Sequence, residues 1–366
     1  MLNRATPASD QSIAQAARAL TEGRLVALPT ETVYGLGADG LSASAVMRIF
    51  HAKGRPADHP LILHVATARH AKMLAADWPS SADQLAKAFW PGPMTLILKR
   101  AAVVPDAVTG GQDTVGIRLP GHPVALALLH QFSEQGSGVI AAPSANRFGG
   151  VSPTRAIDVV HGLGPFLDEE DMVLDGGACQ VGVESTIIDL SGEKPRILRP
   201  GGLSRSAIEA ALRSKLDAST QGECVSASAV PRVSGSLESH YAPRAKVRLV
   251  APEVFSSLVT ARLQEQPKQR LGLMPFASQR LDGVSSDPRL IVRRMPDEAD
   301  QYAQLLYATM NDLDRMGVDE LLIAQPPQNA AWEAVSDRLR RAAASVNDGS
   351  AVGEQVLHRL PKKPDA

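Results

Sequence analysis

Five side chains that are cationic, or can become so, recur where short apolar runs end: Lys53, Arg55, His64, Arg118 and Arg199. They sit in or beside the segments KGRPADHPL, LILHV, TVGIRLPGHP and LRPGG, and further polar or glycine-rich stretches read LPTETVYGLGADG, FWPGPMTL, APSANRFGGVSPT and VGVESTIID. In α/β folds such strand-end segments are where ligands bind. Guanidinium forks and ammonium groups brought together suit a substrate bearing a carboxylate and a polyphosphate. The glycine pairs Gly149-Gly150, Gly176-Gly177 and Gly201-Gly202 would add backbone N–H groups, because concave glycine turns bind anions. No GxxxxGK[ST] loop is present, so a P-loop cannot supply the nucleotide site, which has to be built another way. Taken singly, each residue also has an ordinary structural reading. Lys53 and Arg55 flank a helix stop, His64 lies inside an apolar strand, Arg118 suits a paired strand charge, and Ser144 and Asn146 are turn formers.

The elements that must position these residues are legible as periodicities. Ile13, Ala16, Ala17 and Leu20 recur at helical spacing between a candidate cap, Asp10, and Gly23. Val46, Ile49 and Phe50 predict a second helix closed by Gly54. Strands are expected in RLVALPT, LILHV, TLILK, TVGIRLP, GVIAAP, STIIDL and PRILRP, with helices over 124–131, 156–161 and 205–216. Intermixed strands and helices predict an α/β domain over residues 1–216. Residues 217–243 turn to Ser, Ala, Thr and Gly without periodicity and read as an interdomain linker closing over the site. From 244 to 366 a smaller α/β domain follows: KVRLV, a helix over 254–264, RLGLM, RLIVRR, a helix with Leu306, Met310, Leu313 and Met316 on one face, ELLIA, and a helix over 332–343.

Composition narrows the function classes. The chain has 366 residues, more than one core usually organises, and 44% hydrophobic with 21% charged residues is the balance of a folded soluble protein. A net charge of -1 supplies no overall positive field for nucleic acid, and 4% aromatic residues supply few stacking platforms. Two cysteines, Cys179 and Cys224, make neither a disulfide framework nor a zinc-ligand pattern. The N-terminus lacks an apolar signal core and no stretch reaches membrane-span length, so a cytoplasmic enzyme with no membrane partner is expected.

Lys53-x-Arg55 with Ser144-x-Asn146, embedded in PTETVYGLG, KGRPADHPL and APSAN, resembles the signature of the YrdC-type threonylcarbamoyl-adenylate synthases, from about Leu28 to Gly202. HYAP at His240 to Pro243 and the second domain resemble the long, two-domain form. The resemblance implies a YrdC-like twisted mixed sheet with helices, plus a smaller Rossmann-like α/β C-terminal domain joined by the linker. It implies that L-threonine is held by Thr32, His64, Arg118, Ala142 and Ser185. ATP would be surrounded by Arg55, His59 (where relatives often carry Asn), Thr114, Ser144, Ser152, Arg199 and Tyr241, with Lys53, Arg55, Ser144 and Asn146 as catalytic residues. The implied reaction joins L-threonine, bicarbonate and ATP into threonylcarbamoyl-AMP with loss of pyrophosphate. Its product would pass to a threonylcarbamoyl-transferase complex that modifies tRNAs reading ANN codons. Mg²⁺ is expected to accompany the triphosphate, and no carboxylate cluster marks a dedicated metal cage. Direct tRNA binding stays open, and a non-catalytic RNA-binding module is the competing reading. A carbamoyltransferase of the hydrogenase-maturation kind is disfavoured because it would require CxxC pairs.

Overall fold

A computed structural model describes residues 4–217, 230–235, 240–281, 283 and 287–344. Ten strands form one mixed sheet: β1 (Thr6–Pro7), β2 (Val26–Leu28), β3 (Gly35–Asp39), β4 (Ile62–Val65), β5 (Met94–Lys99), β6 (Thr114–Arg118), β7 (Val139–Ala141), β8 (Met172–Asp175), β9 (Thr186–Asp189) and β10 (Arg196–Arg199). Their order is β1-β8-β2-β3-β7-β4-β6-β5-β9-β10. The sheet is sandwiched: alternate residues such as Leu36, Leu63, Leu96 and Ile117 pack against the helix Ala43–Lys53. Val26, Leu28 and Ile140 face the helices Asp10–Thr21 and Pro123–Gln135 on the other side.

Local sequence explains the helix limits. Ser9, not Asp10, caps the first helix, in a reciprocal capping box with Ser12, while Asp10 takes the first turn, where a carboxylate complements the helix dipole. The helix Ala43–Lys53 ends on Gly54 at φ 61°, and a Cβ there would stand 2.6 Å from the Arg147 guanidinium. The helix expected over 205–216 stops at Leu212, where Arg213 turns left-handed. Strand β3 went unread because its GLGAD sequence carries a turn-like composition. Gly37 is required there, since a Cβ would lie 2.8 Å from Ile140 Cγ2. Strand β8 and the helices Ala68–Leu74 and Ser80–Phe89 were likewise unanticipated.

A second sheet of four parallel strands, β11 (Lys246–Val250), β12 (Leu271–Met274), β13 (Leu290–Val292) and β14 (Glu320–Ala324), runs in the order β11-β14-β12-β13. The helix Phe255–Glu265 covers one face through Phe255 and Val259. The helices Ala299–Arg315 and 333–344 cover the other. That second layer continues into the first domain, because Val33, Val151, Val183 and Tyr241 share one apolar cluster with Tyr307, Met310 and Leu339. Within the linker, residues 218–229 and 236–239 lie outside the described residues. Among the described residues no helix is long and apolar enough to cross a membrane.

Candidate active site

Strand register sets the first half of the site. The parallel pairing of β4 with β6 places His64 beside Arg118. Arg118 is buried and donates through Nη1 to Thr32 Oγ1 (2.9 Å), while Nη2 lies 2.6 Å from Glu31 Oε1. Thr32 Oγ1 in turn sits 2.9 Å from Thr30 Oγ1, which donates to the Val33 carbonyl and so ties the PTETV turn together. Burial works to raise the Glu31 pKa, but the charge and hydrogen bond of Arg118 outweigh it and hold the carboxyl below its ordinary value. Burial and then Arg118 depress His64 to about 3. His64 is therefore a neutral hydrogen-bonding ring at physiological pH and not one of the site's cations.

The second half is built from β10, the turn after the helix Ala43–Lys53 and the turn after β7. Arg199 donates to the Ser185 carbonyl (3.1 Å from Nε), to Ser185 Oγ (3.1 Å from Nη2) and to the Ser234 carbonyl (2.8 Å from Nη1). Arg55 Nη2 donates to the Pro60 carbonyl and Ser234 Oγ, and its buried Nε has no partner among the described residues. The polar contacts of both guanidiniums thus run to neutral oxygens. Burial lowers the Arg55 pKa to about 10, which leaves it cationic at neutral pH.

Arg55, Arg118, Arg199, Thr32, His64, Ala142, Ser144, Ser185 and Tyr241 line one cavity, so the structure brings these sequence-nominated residues together. Lys53 and Asn146 stand behind its wall. The buried Lys53 ammonium donates to the Ser144 carbonyl (2.6 Å) and the Asn146 carbonyl (2.5 Å), and burial, then Arg55 and Arg147, push its pKa well below the ordinary lysine value. Asn146 Nδ2 ties down the carbonyls of Arg147 and Gly150. Ser152 is fully buried on Glu184, Thr114 lines a neighbouring small cavity that shares Ser234, and His59 packs edge-on against Phe148. In two of the three glycine pairs backbone N–H groups are already taken up within the protein. Gly150 N donates to Arg147 O, and Gly176 and Gly177 N donate to Tyr34 Oη and Asp175 Oδ1. A Cβ on Gly201 would meet Thr186 N at 2.4 Å, so close packing requires the glycine.

Linker residues reach the same cavity. Ser234 and Gly235 lie over Arg55 and Arg199, and Tyr241, at φ 63°, has its ring stacked on Tyr307 (5.8 Å between centroids) with Arg338 over it at 5.4 Å. Its hydroxyl therefore points toward Gly235, where a Cβ would stand 2.2 Å away. The free volume left is about 50 Å³, room for a few water-sized molecules. Sequence reasoning missed Thr30, Glu31, Glu184, Ser234 and His240. Glu31 and Glu184 each sit next to a nominated residue in a quoted motif, and His240 opens HYAP, but nothing local reveals which way they face. Among the described residues no cluster of three or more His, Cys, Asp or Glu is arranged to hold a metal.

Two family models cover most of the chain. Residues 18–201 match the model described as "Telomere recombination", and residues 203–344 match the one described as "Threonylcarbamoyl-AMP synthase, C-terminal domain". The threonylcarbamoyl-AMP synthase of Pyrococcus abyssi is 40% identical over 89% of this chain and 92% of its own. That of Bacillus subtilis is 38% identical over 92% of this chain and 94% of its own. A crystal structure of P. abyssi Sua5 complexed with L-threonine superimposes with a TM-score of 0.79 at 38% identity, over 93% of this chain and 97% of that one. A double-alanine variant of the same protein matches equally well, with a TM-score of 0.79. Relatives named as synthases set aside the competing reading of a non-catalytic RNA-binding module. With the fold as anticipated and both halves accounted for in one relative, the chain belongs to the threonylcarbamoyl-AMP synthase family in its two-domain Sua5 form.

Proposed function

We propose that the protein condenses L-threonine, bicarbonate and ATP into threonylcarbamoyl-AMP and pyrophosphate. The observation that carries this reading is the pairing, in one cavity, of Arg118 beside Thr32 and His64 with Arg55 and Arg199, whose hydrogen bonds among the described residues run to neutral oxygens. The first group suits the carboxylate and hydroxyl of threonine, with Ala142 and Ser185 completing the wall. The second suits a polyphosphate, together with Ser144 and, near it, His59, Thr114, Ser152 and Tyr241.

In the reaction the threonine amine nitrogen bonds to the bicarbonate carbon as a C–O bond breaks and water leaves, giving an N-carboxylate. A carboxylate oxygen then bonds to the α-phosphorus as the bond from that phosphorus to the bridging oxygen breaks, and pyrophosphate leaves with the electron pair. Two anions have to meet, so positioning and charge neutralisation are the protein's main contribution. Arg55 and Arg199 neutralise the phosphates, and Ser144 hydrogen-bonds at the junction. Lys53 acts from behind by holding the Ser144 and Asn146 carbonyls in place, which keeps the APSAN turn shaped around the ligand. No covalent enzyme intermediate is needed. Among the described residues the cavity offers Mg²⁺ no free carboxylate, since Glu31 is paired with Arg118 and Glu184 with Arg338. Any Mg²⁺ arrives on the triphosphate, and no step is routed through a protein metal site.

Ser234, Gly235 and Tyr241 leave too little space for a nucleotide, so the linker withdraws for entry and returns to exclude water from a labile mixed anhydride. A cytoplasmic location and delivery to a tRNA-modifying threonylcarbamoyl-transferase follow from the same reading. Incubation of the purified protein with threonine, bicarbonate and ATP is expected to yield pyrophosphate and a threonylcarbamoyl adduct of AMP by mass spectrometry. Pyrophosphate release that ignores threonine would overturn the assignment.

A further inference from the structure

Glu184 is a buried anion on the wall of a cavity whose other features attract anions. Its carboxylate accepts hydrogen bonds from Ser152 Oγ (2.6 Å), Tyr307 Oη (3.0 Å) and Arg338 Nε (2.8 Å). Only Ser152 belongs to the first domain. Tyr307 comes from the helix Ala299–Arg315 and Arg338 from the helix 333–344, both on the layer of the second sheet that packs against the site. The Arg338 side chain is 0% exposed, and it also donates to Asp337 Oδ2 (2.7 Å) and the Pro200 carbonyl (2.9 Å). Burial works to raise the Glu184 pKa, yet the charges of Arg338 and Arg199 outweigh it and hold the group at about 2. Glu184 is therefore ionised whenever the protein is folded near neutral pH.

A bare carboxylate at this depth would repel a triphosphate and would draw Arg199 away from it, because charge interactions are weakly screened in a buried site. We infer that Arg338 is the counter-ion through which the second domain makes the nucleotide end usable: it cancels the charge of Glu184, so that Arg55 and Arg199 act on the phosphates undiminished. Tyr307 shares the carboxylate and aims it at Ser152. Arg338 touches no substrate in this scheme and is a positioning residue. The inference rests on the proposed nucleotide reading and adds to it a specific reason for the second domain: the first domain's own wall carries an anion that the second neutralises, leaving Arg199 for the ligand.

The test is calorimetric titration of the full-length chain with ATP and, separately, with L-threonine. Arg338→Ala strands Glu184 and is expected to weaken ATP binding by ~10- to 100-fold, the scale for breaking a buried pair on one side. Threonine binding should change much less than ATP binding, because the two ends meet only through Ser185, which Arg199 holds by its carbonyl and hydroxyl. Adding Glu184→Gln to Arg338→Ala removes the stranded charge and should restore most of the ATP affinity, although an interdomain contact has then been lost twice. A purely structural tie predicts the reverse, with the double variant no better than the single. Equal loss of both ligands, ATP binding unchanged in Arg338→Ala, or no recovery in the double variant overturns the inference. If Arg338→Ala does not melt cooperatively, Glu184→Gln alone decides: removing the anion while Arg338 stays should leave ATP affinity at or above the wild-type value, and weaker binding refutes the idea. Failure of the wild-type chain to form the adenylate would sink the functional reading instead, a result separate from these binding ratios.

Discussion

The two ends of the cavity treat positive charge in opposite ways. At the β4–β6 end Arg118 is matched by Glu31 at 2.6 Å, so the pair is close to neutral overall. At the other end Arg55 and Arg199 contact carbonyl and hydroxyl oxygens, and the nearby carboxylate, Glu184, is taken up by Arg338. A balanced pair suits a zwitterion, which brings its own two charges. Unmatched guanidiniums suit a polyanion, whose repulsion has to be overcome before it can react. Within one cavity, the pattern of compensation therefore separates the ends more sharply than the residue types do, since arginine serves at both.

Four changes test that contrast. The largest effect is expected from Lys53→Ala, which removes the brace under Ser144 and Asn146. Turnover should fall by ~10²-fold or more with the fold intact, the scale of losing one preorganised group. A folded variant with normal pyrophosphate release would remove Lys53 from the mechanism. Next is acid stability, to which each end contributes one buried neutral histidine: His64 and His240 are both depressed to about 3, His240 by burial first. Below the ordinary histidine pKa of ~6.5 the unfolded chain binds protons that these folded rings refuse, so stability falls as pH drops toward 3. The slope approaches ~1.4 kcal/mol per pH unit for each ring. Denaturant melts between pH 7 and 5 should show it, and His64→Gln or His240→Gln should each flatten the slope, with smaller contributions left from His59 and His122, which burial also lowers. A flat profile in the wild type would contradict the burial of both rings.

A smaller effect is expected from Arg118→Lys, which keeps the charge beside Glu31 but loses the fork. Threonine affinity should fall ~10-fold while ATP affinity holds. Equal weakening by calorimetry would erase the distinction between the ends. Smallest is Tyr241→Ala. Loss of the hydroxyl over Gly235 and of the ring on Tyr307 loosens the linker's seat, and a ~3-fold rise in hydrolysed product relative to adenylate is expected, as for partial loss of a lid. A product ratio identical to wild type would make the linker a tether.

Much of this site was legible in the chain before any coordinates. Lys53-x-Arg55 and Ser144-x-Asn146 announce a chemistry because spacing of that kind is local, and Gly54 marks its helix end because a left-handed cap needs a residue without a Cβ. The strand carrying His64 and the strand carrying Arg118 were each readable from apolar periodicity. That they are neighbours was not, because register between β4 and β6 depends on a crossover and on β7 packing against β4.

Three matters were decided only by tertiary structure, and one physical reason covers them. The sequence contains Glu31, Glu184 and Arg338 as three ordinary charged residues, and a charge acquires its role from the partner it meets and the water it loses. Burial turned His64 from a potential cation into a neutral ring, and placed Lys53 behind the wall it had been expected to line. Arg338 meets Glu184 across 154 positions of chain. Short-range pattern therefore determined the elements, the motif and the family, while long-range packing determined which charges are cancelled and which remain to act on a ligand.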